Sequence, residues 1–154
     1  MDYLVVKWVH ILSSTLLFGT GLGIAFFMWM AHRRGDVRVI AGVARLVVIA
    51  DAMFTAPTVL IQLVTGLWLM HRSGLSLQLH WLALALVLFV LVGACWLPVV
   101  WMQIRIRDLA MEAVARSSPL PQRYYTLMRA WFILGWPAFL GVLAIFWLMV
   151  VKPA

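Results

Sequence analysis

The sequence predicts an all-α integral membrane four-helix bundle that forms a single domain over residues 1–154. Of the 154 residues, 66% are hydrophobic and 11% are charged, so a soluble domain of this composition would have a largely apolar surface. Four apolar stretches reach the length of about 20 residues that a helix needs to cross a bilayer. Basic residues cluster in and beside two of the three connections between these stretches, as the loops of a multi-pass membrane protein do.

The four predicted helices cover approximately residues 3–30, 49–70, 79–102 and 127–151. We expect helix one to be retained rather than cleaved as a signal peptide, because its apolar run is too long and its basic residues follow the run. Residues 37–48 carry Arg38 and Arg45 on one helical face, which indicates either an interfacial turn or an extension of helix two. The short second loop predicts that helices two and three are antiparallel neighbours. Helix three is expected to extend into the third loop until the Ser-Ser-Pro-Leu-Pro-Gln segment stops it.

The distribution of arginines predicts the orientation. The first and third connections hold most of them, whereas the second holds Arg72 and the C-terminal segment holds Lys152. Because basic residues mark the cytoplasmic side, both termini are predicted to lie outside a bacterial cytoplasmic (inner) membrane. This topology explains the net charge of +7, so no nucleic-acid partner is expected. The expected partners are the lipid bilayer and its anionic headgroups, at Arg33, Arg34, Arg105 and Arg107.

Two polar stripes run along helices one and two. The stripe on helix two keeps to one helical face over four turns and must therefore face protein or water: Asp51, Thr55, Thr58, Gln62 and Thr65. The stripe on helix one consists of Lys7, His10 and Ser14. Counting depth at about 1.5 Å per residue puts His10 level with Gln62 or Thr65, so we expect these side chains to meet.

Each polar residue also has a purely structural explanation. Lys7 would reach the outer headgroups with its amine, and His10 would be a neutral imidazole that is hydrogen-bonded to the neighbouring helix. The threonines of helix two would bond back to their own backbone. Asp51 would be an interfacial charge paired with Arg45 or Arg105. The sequence alone leaves these alternatives open.

Five stretches resemble a family of predicted bacterial integral membrane proteins of unknown function, of the domain-of-unknown-function 2269 type: KWVHILSSTLLFGTGLG, FTAPTVLIQLVTGLWL, CWLPVVWMQIRIR, WFILGWPAF and LMVVKP. Helix one by itself is similar to the opening helix of the haem-dependent protoporphyrinogen oxidases of bacteria and of the copper-resistance protein D type. That resemblance implies that His10 binds haem b, with Lys7 as a weaker match. The chain departs from bis-histidine ligation, because His71 and His80 lie at the outer end of their helices.

Three functions follow as hypotheses. The first is a haem b protein for electron transfer or redox chemistry, with His10 as the metal ligand and with Lys7, Gln62 and Thr65 completing the cofactor site. The second is a path for protons or a small solute along the stripe of helix two, which would need a homo-oligomer. The third is a structural or accessory subunit that contacts a membrane partner without any cofactor. Hydrolytic chemistry is not predicted, since the sequence shows no catalytic triad, thiolate metal site, phosphate loop or two carboxylates poised for acid–base catalysis.

Overall fold

A computed structural model describes residues 2–153 and contains four long helices. The first is α1, Asp2–Arg34, and the second span, Val37–Arg72, consists of α2 (Val37–Ala50), a π-helical turn (Asp51–Thr55) and α3 (Ala56–Arg72). The remaining two are α4, His80–Ala115, and α5, Gln122–Val151. All four are long and apolar enough to cross a bilayer, and residues 2–153 contain no strand, so the predicted all-α architecture is confirmed.

The helices extend beyond the predicted spans at the end of the bundle that holds connections 35–36 and 116–121, which we call the basic end. Gly35 adopts a left-handed φ of 73° between α1 and α2. Asp36 then caps α2, because its carboxylate accepts hydrogen bonds from the backbone N–H groups of Arg38 and Val39. Residues 37–48 are therefore an extension of the second span. The predicted span began only at residue 49, because the extension has arginines on its exposed face and is less apolar.

The most extensive helix pairing joins α4 and α5. α4 ends at Ala115, and the Ser-Ser-Pro-Leu-Pro segment separates it from α5, as the sequence predicted. Farther along the pair, Gly141 lies against Val92, where an added Cβ would come within 2.5 Å of Val92 Cγ2. The absence of a side chain at Gly141 therefore leaves room for the side chain of Val92 against the backbone of α5.

The main buried core lies near the basic end, where α2 packs on both α1 and α4. Toward the other end of the bundle, which holds connection 73–79 and which we call the terminal end, α3 packs on α1 while α4 packs on α5. Apart from Met70, which packs beside Trp81 and Leu82, α3 hardly contacts the α4/α5 pair. The second and third spans, which the sequence predicted to be neighbours, are thus in contact mainly where α2 packs on α4. Toward the terminal end, α3 and α4 diverge.

A π-helical turn directly precedes Pro57 in the second span. Proline has no N–H group and its ring crowds a carbonyl of the preceding turn, which disturbs the regular hydrogen bonding there. In the wider turn, the N–H of Ala56 bonds to the carbonyl of Asp51, five residues back. The hydroxyl of Thr58 donates to the carbonyls of Phe54 at 2.6 Å and Thr55 at 2.9 Å, so its hydrogen bond is satisfied within its own helix.

Candidate functional site

One residue of the predicted helix-one stripe, His10, meets the helix-two stripe between α1 and α3. His10 Nδ1 lies 2.7 Å from Thr65 Oγ1, so the depth count that put these residues at one level is confirmed. The imidazole also lies against Gly66, where an added Cβ would be 3.3 Å from His10 Cε1. A glycine at this position therefore gives the ring room to approach α3 and reach Thr65.

Thr65 determines which nitrogen of His10 carries the proton. Its hydroxyl donates to the carbonyl of Ile61, one turn earlier in α3. This contact is the shorter of the two that Thr65 Oγ1 makes with Ile61 and His10, so we infer that the hydroxyl proton goes to Ile61 and that Nδ1–H of His10 donates to Thr65. A neutral imidazole protonated at Nδ1 has a free lone pair at Nε2. Within residues 2–153, His10 Nε2 makes no hydrogen bond.

Gln62 joins α3 to α1 at the same level. Its side-chain Nε2 donates to the carbonyl of His10 and to the hydroxyl of Ser13, both at 2.5 Å. Ser13 is only 4% exposed, whereas Ser14 is half-buried and donates to the carbonyl of Ile11 in its own helix. The sequence pointed to Ser14, and the structure instead brings Ser13 to α3. Both serines lie within about one turn of His10, so only the position of α3 decides between them.

The other basic residues near this site remain apart from it. Lys7 is exposed, one turn nearer the terminal end, and makes no ion pair or hydrogen bond with any described residue. His71 and His80 are also exposed, on either side of connection 73–79. Across residues 2–153, no group of three or more His, Cys, Asp or Glu side chains is arranged to hold a metal ion. His10 is thus brought together with Gln62 and Thr65 but not with a second histidine.

Asp51, at the other end of the helix-two stripe, belongs to a separate polar site in the π-helical turn. Its Oδ1 accepts a hydrogen bond from the indole Nε1 of Trp96 on α4, at 3.4 Å. Arg45 and Arg105 are exposed and form no ion pair with it, so the suggested pairing of Asp51 with an arginine is wrong. The reason is direction: Asp51 faces the neighbouring helices, while both arginines lie on exposed faces. Thr58 and Thr65 do bond back to their own backbone, as the structural explanation of the stripe predicted.

Sequence reasoning missed three residues of these sites: Ser13, Gly66 and Trp96. Gly66 directly follows Thr65, and a glycine beside a polar stripe is a signal of close helix approach that could have been used. Ser13 is three residues from His10 and could have been considered together with Ser14. Trp96 gave no signal, because nothing in the sequence shows which residue of α4 lies beside Asp51.

An open cavity of about 410 Å³ lies at the basic end between α1, α2 and α5. The guanidinium of Arg33 lines it and lies over the ring of Trp29, 5.9 Å from the ring centroid. Leu120 and Tyr125 line it from the side of α5. The ion pairs among the described residues, Arg107–Asp108 and Arg116–Glu112, do not involve Arg33. The cavity therefore combines a cation that has no acidic partner with apolar walls.

Comparison with known proteins identifies the family. No curated protein and no solved structure matches the chain. The similarity of helix one to haem-dependent oxidases therefore remains a prediction. A family model matches residues 4–153, which include almost all of the four spanning helices, and this confirms the resemblance carried by the five sequence stretches. The chain belongs to the family described as Predicted integral membrane protein (DUF2269).

Proposed function

We propose that this membrane protein binds haem b with His10 as an axial ligand and serves electron transfer or redox chemistry in the bilayer. The observation that supports the proposal is the arrangement of the imidazole. Thr65 accepts the Nδ1–H of His10, and Nε2 is left with a free lone pair. Metal-ligating histidines almost always donate their other ring N–H to a fixed acceptor, which orients the ring and selects the tautomer.

The residues around His10 fit one axial ligand. Gln62 binds the carbonyl of His10 and the hydroxyl of Ser13, so the helical turn that carries the ligand is tied to α3. Lys7 is exposed one turn nearer the terminal end, where its amine would pair with a propionate. Haem, when bound, supplies one-electron redox chemistry. His10 is the histidine that would hold the haem, since His71 and His80 are exposed at the terminal end.

The loose packing at the terminal end supports the same proposal. A flat apolar macrocycle needs a slot between helices, and in helical bundles such sites are built from facing side chains. Here the α1/α3 and α4/α5 pairs contact each other sparingly. Phe18 of α1 bridges them by packing on Phe139 and Phe146 of α5, with ring centroids 5.5 Å apart in both contacts. The helix pairs could therefore separate further at the level of His10 without disrupting the core near the basic end.

We assign the protein to the cytoplasmic membrane of a bacterium, with the basic end on the cytoplasmic side. The cavity beside Arg33 would then lie at the level of anionic headgroups. Its free cation would bind a lipid phosphate, while Trp29 and Leu120 would contact the upper part of an acyl chain. Arg34 and Arg105 are exposed without acidic partners and would add to this attraction. Arg107 contributes less, because Asp108 already pairs with it at 2.7 Å.

The absorption spectrum of the purified protein tests the haem proposal. We expect protein from haem-replete cells, extracted in mild detergent, to show a Soret band that shifts on chemical reduction. The band should disappear in His10→Ala, which removes the ligand. It should persist in His71→Ala, the matched control, because that histidine is exposed at the terminal end. A preparation without a Soret band, or an unchanged band in His10→Ala, would contradict the proposal.

A further inference from the structure

We propose that Asp51, Thr55 and Trp96 form a proton-binding site among the spanning helices, in which Asp51 takes up and releases one proton. The site lies at the π-helical turn and is separate from His10. The proposal does not rest on haem binding. Its basis is a buried carboxyl group whose hydrogen bonds are incomplete unless it carries a proton.

Two buried oxygen atoms of this site lack a hydrogen-bond partner. Asp51 is 5% exposed and Thr55 is 4% exposed. Trp96 donates to Asp51 Oδ1, but Asp51 Oδ2 and Thr55 Oγ1 are both buried without a partner. Asp51 and Thr55 are four residues apart in the same π-helical turn, so their side chains are near one another along the helix. A proton on Oδ2 would turn this unpartnered acceptor into a donor, which Thr55 Oγ1 would accept after a small rotation of the two side chains.

No cation lies near enough to stabilise an ionised Asp51. The π-helical turn packs against α1, α2 and α3, and Trp96 brings α4 to it. α1 has no ionisable residue between His10 and His32, and α3 has none before His71. The nearest basic residue of α2 is Arg45, which is exposed, and between His80 and Arg105 the only titratable group of α4 is the Cys95 thiol.

The other acids of the described residues have partners or contact solvent. Asp36 caps α2, Asp108 pairs with Arg107, and Glu112 pairs with Arg116. Asp2 is exposed in the first turn of α1. Asp51 alone is buried with a neutral donor and no cation. An ionised carboxylate in such surroundings is costly, so the neutral acid is the form that the folded protein stabilises.

The same three residues also provide for release of the proton. When Asp51 is an acid, Thr55 accepts from Oδ2; when Asp51 is a carboxylate, the Thr55 hydroxyl can rotate and donate to Oδ2 instead. Trp96 donates to Oδ1 in both states. The released proton passes to water, and no other reactant is required. π-Helical turns within α-helices occur frequently at functional sites, and this one lies directly before Pro57.

Infrared spectroscopy of the protein in lipid bilayers, titrated from mildly acidic to alkaline pH, tests the site. We expect the carbonyl band of a protonated carboxylic acid at neutral pH, a shift of this band to lower frequency in D₂O, and its loss at alkaline pH. The band should be absent in Asp51→Asn. It should persist in Asp108→Asn, the control, whose carboxylate is exposed and paired with an arginine. In Trp96→Phe it should move to higher frequency, because the carbonyl loses its hydrogen-bond donor.

Two results would overturn the proposal. If the wild-type protein has no Asp51-dependent acid band at any pH, the carboxyl group is ionised throughout. If the band persists at alkaline pH and does not shift in D₂O, Asp51 is a fixed structural acid that exchanges no proton. Both results come from the wild-type titration once the Asp51→Asn spectrum has assigned the band. Neither depends on a Soret band, so failure here is distinct from failure of the haem proposal.

Discussion

Three neighbouring residues of α3 fix the orientation and the protonated nitrogen of the His10 imidazole. Thr65 accepts the Nδ1 proton, Gly66 leaves room for the ring, and Gln62 holds the backbone of the same turn. Each acts within one turn of the others, so the site is a property of a short segment of α3 facing a short segment of α1. A ligand held in this way loses its orientation when its acceptor is removed, even though the imidazole itself is unchanged.

Thr65→Val removes the acceptor for His10 Nδ1–H while keeping the size of the side chain. If His10 is the axial ligand, the affinity for haem should fall by about 10–100-fold, because the ring is no longer fixed in orientation and tautomer. Haem titration into the purified apo-protein, followed at the Soret band, measures this loss.

Thr58→Val is the control for this change, since it makes the same substitution in α3 at a threonine that bonds only to Phe54 and Thr55. Its affinity for haem should stay close to that of the wild type. Equal losses in the two variants would mean that the effect comes from the helix and not from the contact with His10.

At the scale of helices, the closeness of α4 and α5 contrasts with the separation of α3 from both. Gly141 allows direct contact with Val92, and the short Ser-Ser-Pro-Leu-Pro connection keeps α4 and α5 adjacent at the basic end. The second span behaves differently, because the π-helical turn before Pro57 separates α2, which packs on α4, from α3, which packs on α1. One continuous span thus contributes its two halves to two different helix pairs.

Gly141→Ala should destabilise the protein, because the new Cβ would lie 2.5 Å from Val92 Cγ2, so that either Val92 must change its rotamer or the two helices must shift. Overpacking of this kind costs about 1–3 kcal/mol. Unfolding in mixed detergent micelles, followed by the loss of helical circular dichroism, measures the change in the free energy of unfolding.

Gly135→Ala, in the same helix, is the matched control, since a Cβ there meets nothing within 4 Å. Both variants gain the helix propensity of alanine, so the difference between them reports the clash alone. Adding Val92→Ala should restore part of the stability of Gly141→Ala. A Gly141→Ala protein that is as stable as Gly135→Ala would show that the α4/α5 contact is looser than described.

For the molecule as a whole, burial is distributed unequally along the membrane normal. The main core lies near the basic end, where α1, α2, α4 and α5 pack together, while the terminal end consists of two loosely joined helix pairs. The two polar sites follow this division. Asp51 belongs to the tightly packed part, where a proton can bind without movement of the helices. His10 lies where the pairs diverge, and a bound cofactor would need the helices to separate there.

The orientation of the bundle can be tested with single cysteines, because Cys95 is the only native one. In a Cys95→Ser background, Ser117→Cys should react with a membrane-impermeant maleimide only from the cytoplasmic side, and Ser73→Cys only from the outside. Both serines are exposed in connections at opposite ends of the bundle. Labelling of intact spheroplasts and of inverted vesicles distinguishes the two sides. Reaction of Ser117→Cys in intact spheroplasts would show that the basic end faces outward.

Much of the candidate site was predictable, because helical periodicity and depth are both linear in sequence. The offsets of the helix-two stripe, together with a fixed rise per residue, were enough to predict that His10 is level with Gln62 or Thr65, and the structure shows its imidazole against Thr65. The choice of Ser13 over Ser14 was not predictable. Neighbouring residues on one helix differ only in angle, and the angle matters only relative to a helix whose position is unknown.

Four spanning helices follow from the sequence alone, because long apolar runs form helices in a bilayer. The sequence also showed that the polar side chains of the second span share one face, whereas on the first span it placed only His10 correctly. The three-dimensional packing was needed to show that the second span divides its contacts between α4 and α1, that Gly66 admits the ring of His10, and that Asp51 lies against Trp96 with one oxygen free. Those contacts depend on the relative rotation and spacing of helices, which come from packing between residues distant in sequence and not from any local pattern.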